Sequence, residues 1–126
     1  MTADKLRNFK HELRTPVNHI LGYSNLLLEA ADDACDSTLS LLANGICANA
    51  QVLARMMEKN LLSPDGHLGD SQMATLRTSV PPVVGQILDA LPSKSELNGL
   101  APYAEDLERI RSAANGLLSL LQIAPE

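Results

Sequence analysis

The chain has 126 residues, 45% of them hydrophobic and 20% charged, with a formal net charge of −5. That length and apolar content suit one ordinary domain with a real core and exclude a disordered chain. The acidic balance, with aromatics at only 2% of residues, argues against nucleic-acid binding, which wants a basic stripe and stacking side chains, and points to a protein partner.

The first element is a helix predicted over about Ala3 to Ala30. Leu6, Phe9, Leu13, Pro16, Ile20, Ser24 and Leu27 recur in steps of three and four, the seam of a helix packed nearly parallel to its neighbours in a bundle. Pro16 falls inside it, removes a ladder hydrogen bond and is expected to bend it. Ala31-Asp32-Asp33-Ala34-Cys35-Asp36-Ser37 supplies a polar turn, with Asp36 or Ser37 as the cap of the next helix. The second helix carries Leu39, Leu42, Ile46, Ala50, Leu53, Met57 and Leu61 on its seam, and residues 63–71, with Pro64, Gly66 and Gly69, read as a linker.

Beyond the linker the first half returns. A shift of 67 residues sets Met73 on Leu6, Leu76 on Phe9, Val80 on Leu13, Val83 on Pro16, Ile87 on Ile20 and Leu91 on Ser24. A shift of 64 sets Tyr103 on Leu39, Leu107 on Ala43, Ile110 on Ile46, Ala114 on Ala50, Leu117 on Leu53 and Leu121 on Met57. Any two amphipathic hairpins can be aligned at some offset, but the matching pairs Ile20-Leu21 and Ile87-Leu88 favour duplication. Pro81-Pro82 either bend or break the third helix. The expected fold is all-α: an antiparallel four-helix bundle in one domain, residues 1–62 forming one hairpin and 72–126 its echo. A lone hairpin leaves an apolar face to bury, and two hairpins in one chain bury each other's, so a monomer is expected, with a domain-swapped or face-to-face dimer as the alternative.

Several chemistries are set aside by local pattern. No apolar run approaches a membrane span, and the amino terminus lacks the basic-then-apolar pattern of a secretory signal, so the expected location is the cytoplasm, away from membranes. Gly45, Gly66, Gly69, Gly85, Gly99 and Gly116 are scattered and make no phosphate-cradling loop, so the chain is not expected to bind ATP by itself. Cys35 and Cys47 are too far apart for a Cys-x-x-Cys pair and read as packing or surface thiols; no metal site is expected.

One string goes beyond generic bundle patterning. Phe9-Lys10-His11-Glu12-Leu13-Arg14-Thr15-Pro16, followed by Val17, Ile20, Gly22 and Tyr23, resembles the phosphoacceptor box of sensor histidine kinases. The stretch from Asp106 to Leu121 is similar to the second helix of the dimerisation hairpin in the same family. A lone His on an amphipathic helix is by default a solvated or core imidazole; eight consecutive residues matching one signature reverse that default for His11. The seam residues Phe9 and Leu13 flank it, and a two-residue step turns a helix by about 200°, so the ring is expected to point away from the core. A neutral imidazole nitrogen is nucleophilic near neutral pH, and its phosphoramidate is labile enough to pass the group onward.

The resemblance implies a role for each neighbour. His11 is the phosphoacceptor. Glu12 is the acid that orients the imidazole and accepts its proton, and Thr15 helps place the water that hydrolyses a phosphorylated receiver. Lys10 and Arg14 lend positive potential, Pro16 acts as a hinge, and Asn18 and His19 belong to a receiver-docking surface. Each has a plainer reading as a solvated carboxylate, a helix-surface threonine or ordinary surface charge. In the second half Thr78 replaces the His, Ser79 the Glu, and Pro81 and Pro82 the Arg and Thr, so no second phosphoacceptor is expected. His19 and the linker His67 have no partners at metal-ligand spacing. The implied function is histidine phosphotransfer: exchange of a phosphoryl group between His11 and the aspartate of a response-regulator receiver domain. A histidine kinase is a second candidate partner. No cofactor is expected on this chain, Mg²⁺ being carried by the receiver. The rivals are a phosphoacceptor and dimerisation piece of a sensor histidine kinase, and a non-catalytic scaffold or inhibitor that binds receivers or kinases.

Overall fold

The computed structural model describes residues 3–61, 70–93 and 99–122. Four helices account for nearly all of them: α1 (Ala3–Ala34), α2 (Ser37–Leu61), α3 (Asp70–Ala90) and α4 (Ala104–Leu121), the last entered through a 3₁₀ turn at Ala101–Tyr103. α1 packs on α2 and α4, and α3 packs on the same two, so the helices close a ring with α1 and α3 across a diagonal. This is an all-α four-helix bundle. Most of linker 63–71, including His67, lies outside the described residues, as do the side chains of Leu6 and Leu61; α3 starts at Asp70, inside the span expected to be linker.

The core is a single cluster fed by all four helices, with Leu13, Ile20, Leu39, Ile46, Leu53, Leu76, Ile87 and Ile110 at 0% exposure. Fully burying side chains of this size contributes about 1.5–3 kcal/mol each before the entropy of ordering them is subtracted. The internal repeat is written into this burial. At the first offset Phe9 and Leu76, Leu13 and Val80, Val17 and Val84, Ile20 and Ile87, and Ser24 and Leu91 are buried in pairs. At the second, Ala43 and Leu107, Ile46 and Ile110, Ala50 and Ala114, Leu53 and Leu117, and Met57 and Leu121 are. Ser24 is tolerated because its Oγ donates to the Leu21 carbonyl at 3.0 Å.

Two details differ from expectation, and a third resolves an alternative that the sequence left open. Val83 and Leu42 are only half-buried, and Val84 and Ala43 occupy the core instead. In α2 the observed seam Leu39, Ala43, Ile46, Ala50, Leu53, Met57 keeps strict alternation of four and three, which a step from Leu39 to Leu42 would break. Second, α1 runs one turn past Ala30 because Ala31, four residues after Leu27, is still on the seam at 1% exposure. The polar turn therefore contracts to Cys35 and Asp36. Cys35 takes φ 52°, the Asp36 N–H donates to the Ala31 carbonyl at 2.9 Å and the Cys35 N–H to the Asp32 carbonyl at 3.3 Å, a Schellman closure. Asp36 Oδ1 then accepts the Leu39 N–H at 3.0 Å and caps α2. Third, Pro81 and Pro82 do not break α3, which is helical from Asp70 to Ala90.

The open ends are tied across the bundle. Arg77 Nε donates to the Leu121 carbonyl at 2.8 Å, so the first half of α3 meets the last turn of α4, and Arg111 Nη2 donates to the Pro92 carbonyl at 3.1 Å. These contacts fix α3 and α4 as antiparallel and place cations on carbonyls that a helix end leaves unpaired. No helix among the described residues is long and apolar enough to cross a membrane.

Candidate functional site

His11 lies on α1 with its side chain exposed, between buried Phe9 (7%) and Leu13 (0%). Burying both seam residues fixes the rotation of α1 and leaves the imidazole on the far side. Glu12 is exposed and Thr15 half-buried; the Thr15 Oγ1 donates to the His11 carbonyl at 2.9 Å, tying the fourth residue after the His to its backbone. Pro16 is buried, and α1 continues unbroken through it. Having no N–H, Pro16 leaves the Glu12 carbonyl without its ladder donor. Lys10 retains only 9% exposure, so its chain lies against the bundle.

Two grooves flank α1, and they divide the residues expected to dock a partner. Arg14, Val17 and Asn18 face Ala54, Met57 and Glu58 of α2 across a groove of about 130 Å³, which begins one turn beyond His11. His19 is on the other flank. With Tyr23 it faces Glu105, Glu108, Arg109, Ser112 and Ala113 of α4 across a wider depression of about 540 Å³. There the Arg109 guanidinium lies 5.5 Å from the Tyr23 ring centroid and is held by Glu105 and Asp106, while His19 meets Tyr23 edge-on at 6.3 Å between centroids. The split follows from helix geometry: adjacent residues differ by about 100° in direction, so Asn18 and His19 fall on opposite sides of a seam that Val17 and Ile20 bury. Sequence reasoning missed Ala54, Met57 and Glu58, because only the packing order shows which flank of α2 meets α1.

No protein-family model, no curated protein and no solved structure matches this chain. The site has to be read from its own residues.

The counterpart in the second hairpin has different chemistry. Thr78 occupies the position of His11 and is exposed, but its Oγ1 is committed to the Ala74 carbonyl at 2.9 Å. Ser79 and Pro81 are half-buried and Pro82 exposed, where the first hairpin has Glu12, Arg14 and Thr15. Among the described residues no three His, Cys, Asp or Glu side chains gather to hold a metal ion. Cys35 is exposed, and Cys47 is buried with its Sγ 3.5 Å from Asn25 Oδ1.

Proposed function

We propose that this protein is a histidine phosphotransfer protein in a two-component relay, exchanging a phosphoryl group between His11 and the aspartate of a response-regulator receiver domain. The observation that carries the reading is the exposure of His11 inside the string Phe9 to Pro16, with both flanking seam residues buried. An imidazole so placed is open to a partner's active site, on a helix whose buried seam fixes which side faces solvent.

In the transfer, an imidazole nitrogen of His11 attacks the phosphorus of the receiver's aspartyl phosphate. The N–P bond forms as the P–O bond to the aspartate breaks, and the carboxylate leaves with the electron pair. Glu12 takes the proton released from the ring, and Arg14, on the His11 side of the α1–α2 groove, offsets phosphoryl charge. The groove lined by Asn18, Ala54, Met57 and Glu58 receives the receiver's surface. Thr15, whose hydroxyl proton is engaged with the His11 carbonyl, keeps an oxygen lone pair for a water, the role that receiver dephosphorylation would need. Mg²⁺ belongs to the receiver in this reading.

The closed four-helix ring covers its own apolar faces within one chain, whereas the single hairpin of a sensor kinase would need a second copy to do so. Incubation with a panel of phosphorylated receivers tests the reading. Label appearing on this chain supports it, loss of label to inorganic phosphate alone turns the reading toward a phosphatase, and binding with no movement of label turns it toward a scaffold.

A further inference from the structure

Charge is divided unevenly along the bundle. The half that holds His11, residues 3–18, 50–61, 70–80 and 113–121, carries seven Lys and Arg against four Asp and Glu, whereas the opposite half, 19–49, 81–93 and 99–112, carries two against eight. The few cations of the acidic half are taken up locally: Arg109 pairs with Glu105 and Asp106, and Arg111 with Glu108. Among the described residues no carboxylate pairs with Arg14, Arg55 or Lys59 of the other half, although Glu58 is three residues from Arg55 and next to Lys59.

These three cations border the α1–α2 groove. Arg14 belongs to its α1 wall and Glu58 to its α2 wall. Residues three apart are neighbours on a helix surface, so exposed Arg55 stands on the rim beside Glu58, and exposed Lys59, four residues beyond Arg55, is one turn nearer the level of His11. Fold stability does not account for the arrangement. Two cations four residues apart repel, and an acid at position 55 would instead pair with Lys59. The α2 dipole favours Lys59, which is in the last turn, but fades before Arg55.

We propose that Arg14, Arg55 and Lys59 form a capture face for the anionic active-site surface of a phosphorylated receiver, and that their charge sets the rate at which the receiver finds His11. The inference rests on the phosphotransfer reading and adds to it the property by which the receiver is drawn in. A phosphoryl group brings a charge of about −1.5 to −2, and the Mg²⁺ beside it is held by further carboxylates, so that surface is anionic. It is attracted by the unpaired cations and repelled by the acidic half, so encounters are biased toward the end of the bundle where His11 stands. A net charge of −5 by itself would slow an anionic partner, so the placement of the cations decides, not their number. Glu58 meets the receiver directly in the groove, so its replacement would alter the docked contact together with the field.

Rapid mixing with a phosphorylated receiver that labels the chain tests this, read as the second-order rate at low receiver concentration and the first-order transfer rate at saturation. In the unmodified protein the second-order rate should fall as ionic strength rises from about 0.01 to about 0.15 M, over which the screening length drops from about 30 to about 8 Å. At about 0.15 M, Arg55→Glu should lower the second-order rate about threefold and leave the saturating rate unchanged, whereas Arg55→Lys should keep both. Asp33→Lys changes the net charge by as much in the opposite direction, but it lies at the far end of α1, roughly 30 Å from His11 at about 1.5 Å per residue, and should change neither rate. A second-order rate indifferent to salt, an equal loss in Arg55→Lys and Arg55→Glu, or a gain in Asp33→Lys that matches the loss in Arg55→Glu overturns the capture face while label still moves. A panel of receivers none of which labels the chain overturns the phosphotransfer reading and the capture face with it. Arg55→Glu sets an acid four residues before Lys59, a pairing that favours the helix, so the variant should fold; circular dichroism checks this, and the salt dependence of the unmodified protein decides independently.

Discussion

Asp36 serves two helices at once: its N–H closes the end of α1 on the Ala31 carbonyl, and its carboxylate caps α2 at the Leu39 N–H. Asp36→Ala should cost about 1 kcal/mol, the usual loss for an N-cap. The preceding residue holds the opposite opportunity, since Cys35 has φ 52°, a left-handed conformation that costs a side-chain-bearing residue roughly 1 kcal/mol. Cys35→Gly should therefore raise stability by up to about 1 kcal/mol, and urea denaturation of both variants measures the two shifts; a loss of stability in Cys35→Gly would contradict the strain argument. At this scale the sequence was informative where periodicity applied. His11 could be placed in solvent because Phe9 and Leu13 had to be buried. The directions of Lys10 and His19 were not legible, since they depend on which neighbour covers each flank of α1.

Among the elements, α3 departs most from good helix chemistry. Pro81 and Pro82 deprive the Arg77 and Thr78 carbonyls of their ladder donors, yet the helix persists because Val80, Val84 and Ile87 hold it in the core at 0% exposure. Tertiary burial outweighs a propensity penalty of about 3 kcal/mol per proline, which is why the sequence alone left bend and break both open. Pro82 is exposed, so Pro82→Ala should restore one hydrogen bond without disturbing packing and raise stability by about 1–2 kcal/mol, after allowing for the freer unfolded chain. A higher thermal midpoint is the expected reading, and a lower one would mean that the proline ring makes a contact worth more than the hydrogen bond. The pairing of α1 with α2 makes a second prediction. Asn18→Glu and Glu58→Lys, on the two walls of the groove beyond His11, should weaken receiver binding severalfold, whereas Gln86→Glu on α3 should leave it unchanged; titration calorimetry compares them, and equal effects at all three positions would remove the groove from the docking surface.

For the molecule as a whole, the two hairpins share a burial plan and differ in chemistry. The burial repeat was legible because apolar positions recur at two fixed offsets, and the four-helix ring agrees with it. The expectation of a monomer rested on the same reasoning, that two seams cover each other. The asymmetry of the hairpins predicts one receiver per chain: Thr78 stands where the first hairpin has the nucleophilic His11, and Pro81 and Pro82 stand where it has Arg14 and Thr15. Calorimetry should give a stoichiometry of one, and two equivalent receivers per chain would make the second hairpin a working docking surface.

The most direct measurement of the central claim is to locate the phosphoryl group after transfer from a phosphorylated receiver. With a receiver that labels the unmodified chain, His11→Gln should abolish an acid-labile, base-stable label while keeping the same helicity and a stability within about 0.5 kcal/mol, because an exposed imidazole contributes little to the fold. His19→Gln and His67→Gln should keep the label. Label retained in His11→Gln, or lost in His19→Gln with His11 intact, would contradict the account.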